Sequence, residues 1–546
     1  MCYSYISFNS GINGDMMMTL RVFLALILPC VLGVTKNTYR AAVYEHVIIS
    51  PINPTMPCNR SVALALMKRN LEVYERQAKY AASLKVDIMV FPEYGITGFD
   101  QTRDSMIPYL ENIPDPSVGW NPCLEQDRFP ECDVQIALSC MARNYHIYIV
   151  ANMGDIKQCD FPNDQFCPTD GRFQFNTNVI YDKNGTFVAR YHKRNLWDES
   201  PLFDGAPVPE FSTFDTPYGK FGTVVCADML FQSPTQDLIR HYSLKNLFVT
   251  AAWNVYFPYV IPTQMFAGLS KLSEINLIVS NARNKENMIA SSGIFSANRV
   301  ANMSGPDFDS PDGVFLSADL PFEPEVTSKK TNTTIDKRTV ESVGSEISFE
   351  HSDHMGFQYS YKLLSKLADD ISVCKGRACC RLVYEFANDS NNELYVLGVT
   401  DSGIEEPGLL HLQACTVHRC EGKDKYSCNK PITSAKSTFP KIILQGNFTA
   451  KFVIPQVLTV PQMGTYSMEI DSYTYDKEKN VLISAGFQNP VLSILLLGNT
   501  MDTNFVPPKK VNVAASRNGE EKIFRSQTSF VTLVIVFIYV SFFRSL

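Results

Sequence analysis

The sequence predicts an α/β layered domain followed by a smaller, disulfide-stapled β-rich domain. Three observations carry this prediction. Buried strand patterns alternate with amphipathic helix patterns up to about residue 320, residues 323–353 are polar, and six cysteines between Cys374 and Cys428 stand among short alternating runs. Alternating strands and helices are typical of a sheet with right-handed crossovers, and dense cysteines are typical of small secreted domains. We therefore expect domains at 35–322 and 354–510, joined by a linker at 323–353.

The first half of the α/β domain has the pattern strand, helix, strand, helix, strand. Runs rich in valine and isoleucine predict strands at 41–49, 86–91 and 146–152. Apolar residues at helical spacing follow Ser61, which we expect to be the N-cap of the first helix. A second helix is predicted at 133–144.

The second half contains a hairpin and an elbow that presents a cysteine. Residues 178–193 form two predicted strands with an Asp-Lys-Asn-Gly turn at 182–185. A β-branched run leads into Cys226, and Ser233 and Pro234 then open a helix, which predicts a strand–turn–helix elbow. The remaining predicted elements of this domain are a strand at 247–253, a helix at 263–272 and a strand at 276–280; those of the second domain are strands at 382–386, 394–399, 441–444 and 481–485.

Net charge argues against nucleic acid as a partner, and composition favours a folded protein. The chain has 546 residues and a formal net charge of -7, which gives no basic surface for nucleic acid. Hydrophobic residues make up 45% and aromatic residues 12% of the chain, which favours ordered cores over disorder.

Both ends of the chain predict a secreted protein held on the outer face of the plasma membrane. An apolar block at 20–33 has the character of a signal-peptide core, so 1–34 are expected to be removed, with Met16, Met17 or Met18 as an alternative start. A second apolar block at 530–543 is too short to span a bilayer and follows small residues and a polar spacer. This is the pattern of GPI attachment within 511–546, with a short tail anchor or a freely secreted form as alternatives.

The N-glycosylation motifs and the number of cysteines are also typical of a secreted protein. N-glycans are predicted at six Asn-X-Ser/Thr sites: Asn59, Asn184, Asn302, Asn332, Asn388 and Asn447. Removal of Cys2 and Cys30 with the signal peptide leaves 13 of the 15 cysteines, an odd number. Twelve are expected to pair as six disulfides, with Cys226 as the remaining free thiol.

Three predicted strand ends of the first domain each place one reactive group: Glu93, Lys193 and Cys226. Each alone is more often structural, but together at one sheet edge they are the parts needed to cleave an amide. A carboxylate takes the thiol proton and later protonates the departing amine, while an ammonium and a backbone N–H hold the oxyanion. A nearby ammonium is also expected to lower the pKa of the cysteine.

The motifs around these residues resemble the Glu-Lys-Cys triad of the nitrilase (carbon–nitrogen hydrolase) superfamily. They read Phe-Pro-Glu at 91–93, Arg-Tyr-His-Lys at 190–193 and Val-Cys-Ala-Asp at 225–228. Further stretches are similar to the vanin and biotinidase branch, among them 109–116 and, beyond the catalytic domain, 373–380. The resemblance therefore extends over nearly the whole mature chain.

This resemblance implies a nitrilase-like α-β-β-α sandwich followed by a vanin-type C-terminal domain. It also implies hydrolysis of pantetheine to pantothenate and cysteamine through a cysteine thioester, with no metal or cofactor. Glu93 would be the general base and acid, Cys226 the nucleophile, and Lys193 the oxyanion stabiliser together with the backbone N–H of Ala227. Glu199, or Asp198 beside it, would orient Lys193.

The sequence departs from the family pattern at positions expected to recognise the substrate. Ala227 replaces the usual phenylalanine after the nucleophile, and the stretches around Trp253 and Asn281, the expected substrate-binding residues, differ from those of vanins. Cys58 and Cys132 are additional to the usual set and are expected to form an extra bridge. Biotin amides are the second candidate substrate. A non-catalytic adhesion glycoprotein on a hydrolase scaffold is the third hypothesis, against which the intact reactive residues argue.

Overall fold

The computed structural model describes residues 37–501 except 162, 257–260, 308–309, 327–347, 354–355, 388–392, 404–409, 429 and 462–465. The predicted signal peptide, the GPI region, Asn332 and Asn388 lie outside these residues. Within the described part of the chain, no helix combines the length and apolar character needed to cross a bilayer.

The described part of the first domain contains five α-helices and twelve strands. The helices are Arg60–Ser83 (α1), Arg103–Met106 (α2), Asp133–Tyr145 (α3), Asp237–Tyr242 (α4) and Pro262–Ser273 (α5). The strands are Thr38–Glu45 (β1), Ile88–Val90 (β2), Tyr148–Gln158 (β3), Arg172–Tyr181 (β4), Phe187–His192 (β5), Thr213–Thr216 (β6), Gly219–Val225 (β7), Asn246–Ala251 (β8), Asn276–Asn281 (β9), Gly293–Ser296 (β10), Arg299–Met303 (β11) and Val314–Pro321 (β12).

These strands form two six-stranded sheets, ordered β12-β1-β2-β3-β4-β5 and β11-β10-β9-β8-β7-β6. In each sheet three central strands are parallel, β1-β2-β3 and β7-β8-β9. A shared core joins the sheets face to face, including Val90 from the first and Phe248 from the second. Helices α1 and α3 pack on the outer face of the first sheet, and α4 and α5 on that of the second. The predicted α-β-β-α sandwich is thereby confirmed.

The second domain is all β. Its strands are Ser348–Ser352 (β13), Gln358–Leu363 (β14), Ala368–Lys375 (β15), Ala378–Glu385 (β16), Tyr395–Gly403 (β17), His411–Arg419 (β18), Lys441–Asn447 (β19), Val453–Thr459 (β20), Thr474–Asp476 (β21), Val481–Ser484 (β22) and Val491–Asn499 (β23). They form one sheet ordered β13-β14-β17-β18-β23-β20 and another ordered β15-β16-β19-β22-β21. Disulfides 374–379, 380–415 and 420–428 pair all six cysteines that the sequence predicts to be bonded in this domain.

Two local predictions differ from the structure. Ser348–Ser352 lies within the predicted linker but forms β13, which pairs with β14. The N-cap of α1 is Asn59 and not Ser61, because the Asn59 side chain accepts the Val62 N–H.

The predicted cysteine pairing is wrong in one respect. The disulfides are the three above plus 123–140 and 159–167, and Cys58 and Cys132 are free like Cys226. The Cys58 sulfur packs 3.8 Å from the Tyr109 hydroxyl, while the Cys132 sulfur lies 3.1 Å from the Pro130 carbonyl. The extra bridge between Cys58 and Cys132 is therefore absent, and Cys226 is one of three free thiols among the described residues.

Helix α5 attaches the second domain to the first. Gln264 donates to the Ser493 hydroxyl at 3.2 Å, and Lys271 donates to the Ile470 carbonyl at 2.7 Å. At Gly268 the helix comes so close to β20 that an added Cβ would lie 2.1 Å from the Pro455 carbonyl oxygen. The two domains therefore share one continuous apolar core.

Candidate active site

The elbow after β7 presents Cys226 as the sequence predicts. Strand β7 ends at Val225, and Cys226 has a positive φ of 42° before a short 3-10 turn. A non-glycine residue in this region is strained and is held there by its surroundings. The Cys226 side chain is 7% exposed.

Asp228 ties the elbow to the segment that carries Lys193. Its carboxylate accepts the Tyr191 hydroxyl at 2.7 Å and both the backbone and side-chain amides of Asn195 at 2.9 Å. Burial raises the pKa of Asp228 to about 6, although these donors and Lys193 lower it. The carboxylate thus fixes the turn that carries the cysteine against the end of β5.

Glu93 and Lys193 meet directly beneath the cleft. Lys193, just after β5, donates from Nζ to Glu93 Oε1 at 2.8 Å, and both side chains are almost completely buried. The same ammonium also contacts a carboxylate oxygen of Glu199. Of the two residues expected to orient Lys193, it is therefore Glu199 that contacts the ammonium, whereas Asp198 is exposed.

A chain of buried amides holds Glu93 in place. Asn176 donates to Glu93 Oε1 at 2.7 Å, and Asn152 donates to Asn176 at 2.6 Å and to Asn178 at 3.2 Å. Asn178 in turn donates to Thr223 on β7, in the opposite sheet, at 2.8 Å. Because every step is a buried hydrogen bond, the carboxylate is positioned relative to both sheets.

The two carboxylates on Lys193 have opposite electrostatic character. Burial, together with the nearby charge of Glu199, raises the pKa of Glu93 despite the ammonium of Lys193. For Glu199 burial acts in the same direction, but Lys193 and backbone N–H donors outweigh it and lower the pKa. The pKa of Lys193 is raised because the two carboxylates outweigh burial. The pKa shifts of the two carboxylates on Lys193 therefore run in opposite directions, upward at Glu93 and downward at Glu199.

The electrostatics of Cys226 correct one expectation. Burial and then the negative charge of Glu93 raise the pKa of the thiol well above its ordinary value, and Lys193 opposes them without reversing the shift. The direction of this shift favours the neutral thiol, whereas the sequence predicts a lowered pKa. A neutral thiol beside a carboxylate with a raised pKa needs that carboxylate to accept its proton when it reacts.

One cavity of about 550 Å³ contains all three reactive side chains. Glu93, Lys193, Cys226 and Ala227 line it together with Glu199. Trp253, an expected substrate-binding residue, also lines it. Asn281 does not: it is fully buried behind Trp253, where it accepts the Trp253 N–H at 2.7 Å and donates to the Trp253 carbonyl at 3.0 Å. Asn281 thus positions Trp253 and does not face the cavity.

Tyr94 also lines the cavity, although no pattern in the sequence predicts it there. Its φ is 58°, its N–H donates to Asn152 at 3.1 Å, and its ring lies against Phe99. The hydroxyl has no hydrogen-bond partner among the described residues. Burial raises its pKa, and the charges of Glu199 and Glu93 raise it further, so it is a neutral donor beside the reactive groups. The positive φ depends on the tertiary fold and leaves no signal in the sequence.

The predicted glycosylation sites within the described residues differ in exposure. Asn59, Asn184 and Asn447 are exposed, and Asn59 caps α1 through its side-chain oxygen. Asn302 is partly buried and donates to the Ser317 carbonyl at 3.1 Å.

Comparisons with known proteins agree with this geometry. The carbon–nitrogen hydrolase family matches residues 57–273, and the vanin C-terminal domain matches residues 349–504. The chain is 34% identical to a pantetheinase of Mus musculus, over 86% of this chain and 90% of the relative, and 33% identical to one of Homo sapiens, over 86% and 90%. It is 35% identical to a biotinidase of Takifugu rubripes, over 81% of this chain and 90% of the relative. The chain is therefore a carbon–nitrogen hydrolase and belongs to the family that unites pantetheinases and biotinidases with a vanin C-terminal domain.

Proposed function

We propose that this enzyme hydrolyses the amide bond of pantetheine, releasing pantothenate and cysteamine. The observation that carries the proposal is the convergence of Glu93, Lys193 and Cys226 in one cavity, in a chain similar to pantetheinases over most of its length. The three groups supply a base, a cation and a nucleophile, which are the requirements for amide cleavage by covalent catalysis.

In the first half-reaction Cys226 attacks the amide carbon. Glu93 accepts the thiol proton as the C–S bond forms, and the carbonyl oxygen becomes an oxyanion that Lys193 and the backbone N–H of Ala227 stabilise. Glu93 then gives the proton to the amine nitrogen as the C–N bond breaks. Cysteamine leaves and the acyl group remains on Cys226 as a thioester.

In the second half-reaction water replaces the amine. Glu93 accepts a proton from water, the resulting oxygen nucleophile attacks the thioester carbon, and the same donors stabilise the second oxyanion. Collapse of this intermediate breaks the C–S bond, and Glu93 returns its proton to the sulfur. Pantothenate leaves, and the neutral thiol favoured by the buried site is restored.

The test compares pantetheine with the biotin amide biocytin, using the parent enzyme and Cys226→Ala. We expect cysteamine release from pantetheine by the parent and none by the variant. Lack of pantetheine turnover by a folded parent enzyme would contradict the substrate assignment.

Biotin amides are the second candidate substrate because biotinidases are similar to the chain at 35% identity. Turnover of biocytin alone would favour this assignment. Failure to cleave either amide, together with a Cys226 that no alkylating reagent labels, would favour a non-catalytic surface glycoprotein.

We further propose that the mature enzyme is an N-glycosylated protein on the extracellular face of the plasma membrane, attached by a GPI anchor. The exposed Asn59, Asn184 and Asn447 support glycosylation, and the C-terminal sequence pattern supports the anchor. Phosphatidylinositol-specific phospholipase C should release the enzyme from intact cells, and peptide-N-glycosidase should lower its mass. Retention after the lipase treatment would favour a tail anchor, and direct secretion would contradict any anchor.

A further inference from the structure

The second domain forms one wall of the cavity that contains Cys226. Five apolar side chains of this domain line it: Phe357, Tyr359, Leu410, Leu412 and Leu497. Each is at most 4% exposed, so the wall lies deep in the cleft and not at its rim. We call these five residues the leucine wall.

Strand register places the whole leucine wall on one face of one sheet. Side chains alternate between the faces of a strand, so Phe357 shares a face with Tyr359, and Leu410 shares one with Leu412 and Ala414. Tyr359 pairs with Thr400, Thr400 with Ala414, and Ala414 with Leu497. Directly paired residues point to the same side, so the five residues lie on one face of the sheet, on which Thr400 stands between Tyr359 and Ala414.

The same face is fixed against the catalytic domain. Ile454 pairs with Leu497, and its side chain lies beside Gly268 of α5. Ser493, four residues before Leu497 on β23, accepts the hydrogen bond from Gln264. Phe266 of α5 also packs against Trp253, so the wall and the cavity residue Trp253 contact the same helix and belong to one apolar cluster.

Other residues that line the cavity are polar. Asp100, Gln101 and Thr102 precede α2, Arg103 is the first residue of α2, and Asp353 comes from the second domain. A molecule that fills the cavity therefore meets both hydrogen-bonding groups and hydrocarbon. This combination suits an amphipathic ligand.

We propose that the leucine wall is a binding subsite for an apolar portion of the substrate, and that the enzyme acts on amides carrying an alkyl or aryl group near the scissile bond. The inference rests on the proposed function for the identity of the ligand as an amide substrate of Cys226. Burial of one methylene group contributes about 0.8 kcal/mol, which corresponds to about fourfold in affinity.

The test measures binding apart from chemistry. In a Cys226→Ala background, N-propylacetamide, N-butylacetamide and N-hexylacetamide are titrated while tryptophan fluorescence is recorded, because Trp197 and Trp253 both line the cavity. We expect Kd to fall about fourfold for each added methylene. Leu412→Asn, a polar change of similar size, should weaken N-hexylacetamide binding at least tenfold and flatten the dependence on chain length.

Two further variants separate recognition from folding. Leu412→Ala, which adds no polar group to the core, should also reduce the chain-length dependence. Leu367→Asn, at an exposed leucine of the same domain, should leave all Kd values unchanged. Equal affinity for propyl and hexyl amides, or an unchanged dependence in both Leu412 variants, would overturn the proposal. Because none of these measurements needs turnover, failure of pantetheine hydrolysis would be seen separately.

Discussion

At the scale of single residues, the site depends on two carboxylates that share one ammonium but differ in proton affinity. The pKa of Glu93 is raised and that of Glu199 is lowered, because burial prevails at the first and Lys193 at the second. Predicted strand ends and the resemblance to the nitrilase superfamily allow the sequence to predict Glu93, Lys193 and Cys226. They do not distinguish Glu199 from Asp198, since that choice depends on where each side chain points after folding.

We predict a shift in the pH profile on changing Glu199. The proposed mechanism requires ionised Glu93, so kcat/KM should rise as pH increases through the raised pKa of this group. The charge of Glu199 helps to raise that pKa, and Glu199→Gln should therefore move the acidic limb to lower pH. The measurement is kcat/KM for pantetheine against pH, with Glu125→Gln, at an exposed ion pair, as the control. A limb that stays in place would show that Glu199 does not act on Glu93.

Tyr94→Phe should lower kcat/KM about tenfold without changing Tm. Tyr94 lines the cavity and the variant removes only its hydroxyl; one lost hydrogen bond to substrate corresponds to about 1–1.5 kcal/mol. Steady-state kinetics and thermal unfolding test the two parts of this prediction, with the exposed Tyr80→Phe as control. Full activity in Tyr94→Phe would mean that the hydroxyl does not contact the substrate.

At the scale of elements, the elbow after β7 is the feature that sequence patterns describe best. A β-branched run, a cysteine and a following Ser-Pro predict its position, and the structure ends β7 at Val225. The role of Asp228 as an anchor is not predictable in this way. Its partners Tyr191 and Asn195 lie more than 30 residues away and reach it only because the two sheets stack.

Asp228→Ala should destabilise the protein by about 2–4 kcal/mol. The Tyr191 hydroxyl and the Asn195 amides would lose their acceptor in a buried site, and unsatisfied buried donors are costly. Urea unfolding with the disulfides intact measures the change. Asp215→Ala is the matched control, because that carboxylate is 80% exposed and should contribute less than about 0.5 kcal/mol. Equal stability of the two variants would contradict the anchoring role.

At the scale of the whole molecule, the two domains form one core. Cysteine density and short alternating runs predict the second domain and its β character. In the structure the six cysteines of this domain form three disulfides. The sequence does not reveal that this domain lines the catalytic cavity. A contact between α5 and β20 joins residues almost 200 positions apart, and no local pattern encodes such a pairing.

Gly268→Ala should weaken the attachment of the second domain. The added methyl would overlap the Pro455 carbonyl on β20, and neither backbone can move without disturbing the core. We expect a lower Tm and weaker binding of N-hexylacetamide in the Cys226→Ala background. Gly305→Ala has open space around the new methyl and should change neither property. A normal Tm in Gly268→Ala would show that the interface is looser than the structure indicates.

The shared cavity also bears on how such enzymes diversify. The proposed catalytic residues lie on the first domain, whereas the leucine wall lies on the second, which contributes none of them. Selection can therefore alter the wall while the reactive groups stay constant, so that substrate range and reaction type evolve under separate constraints. Differences among homologues in the second domain would then reflect changes in substrate specificity and not in the reaction.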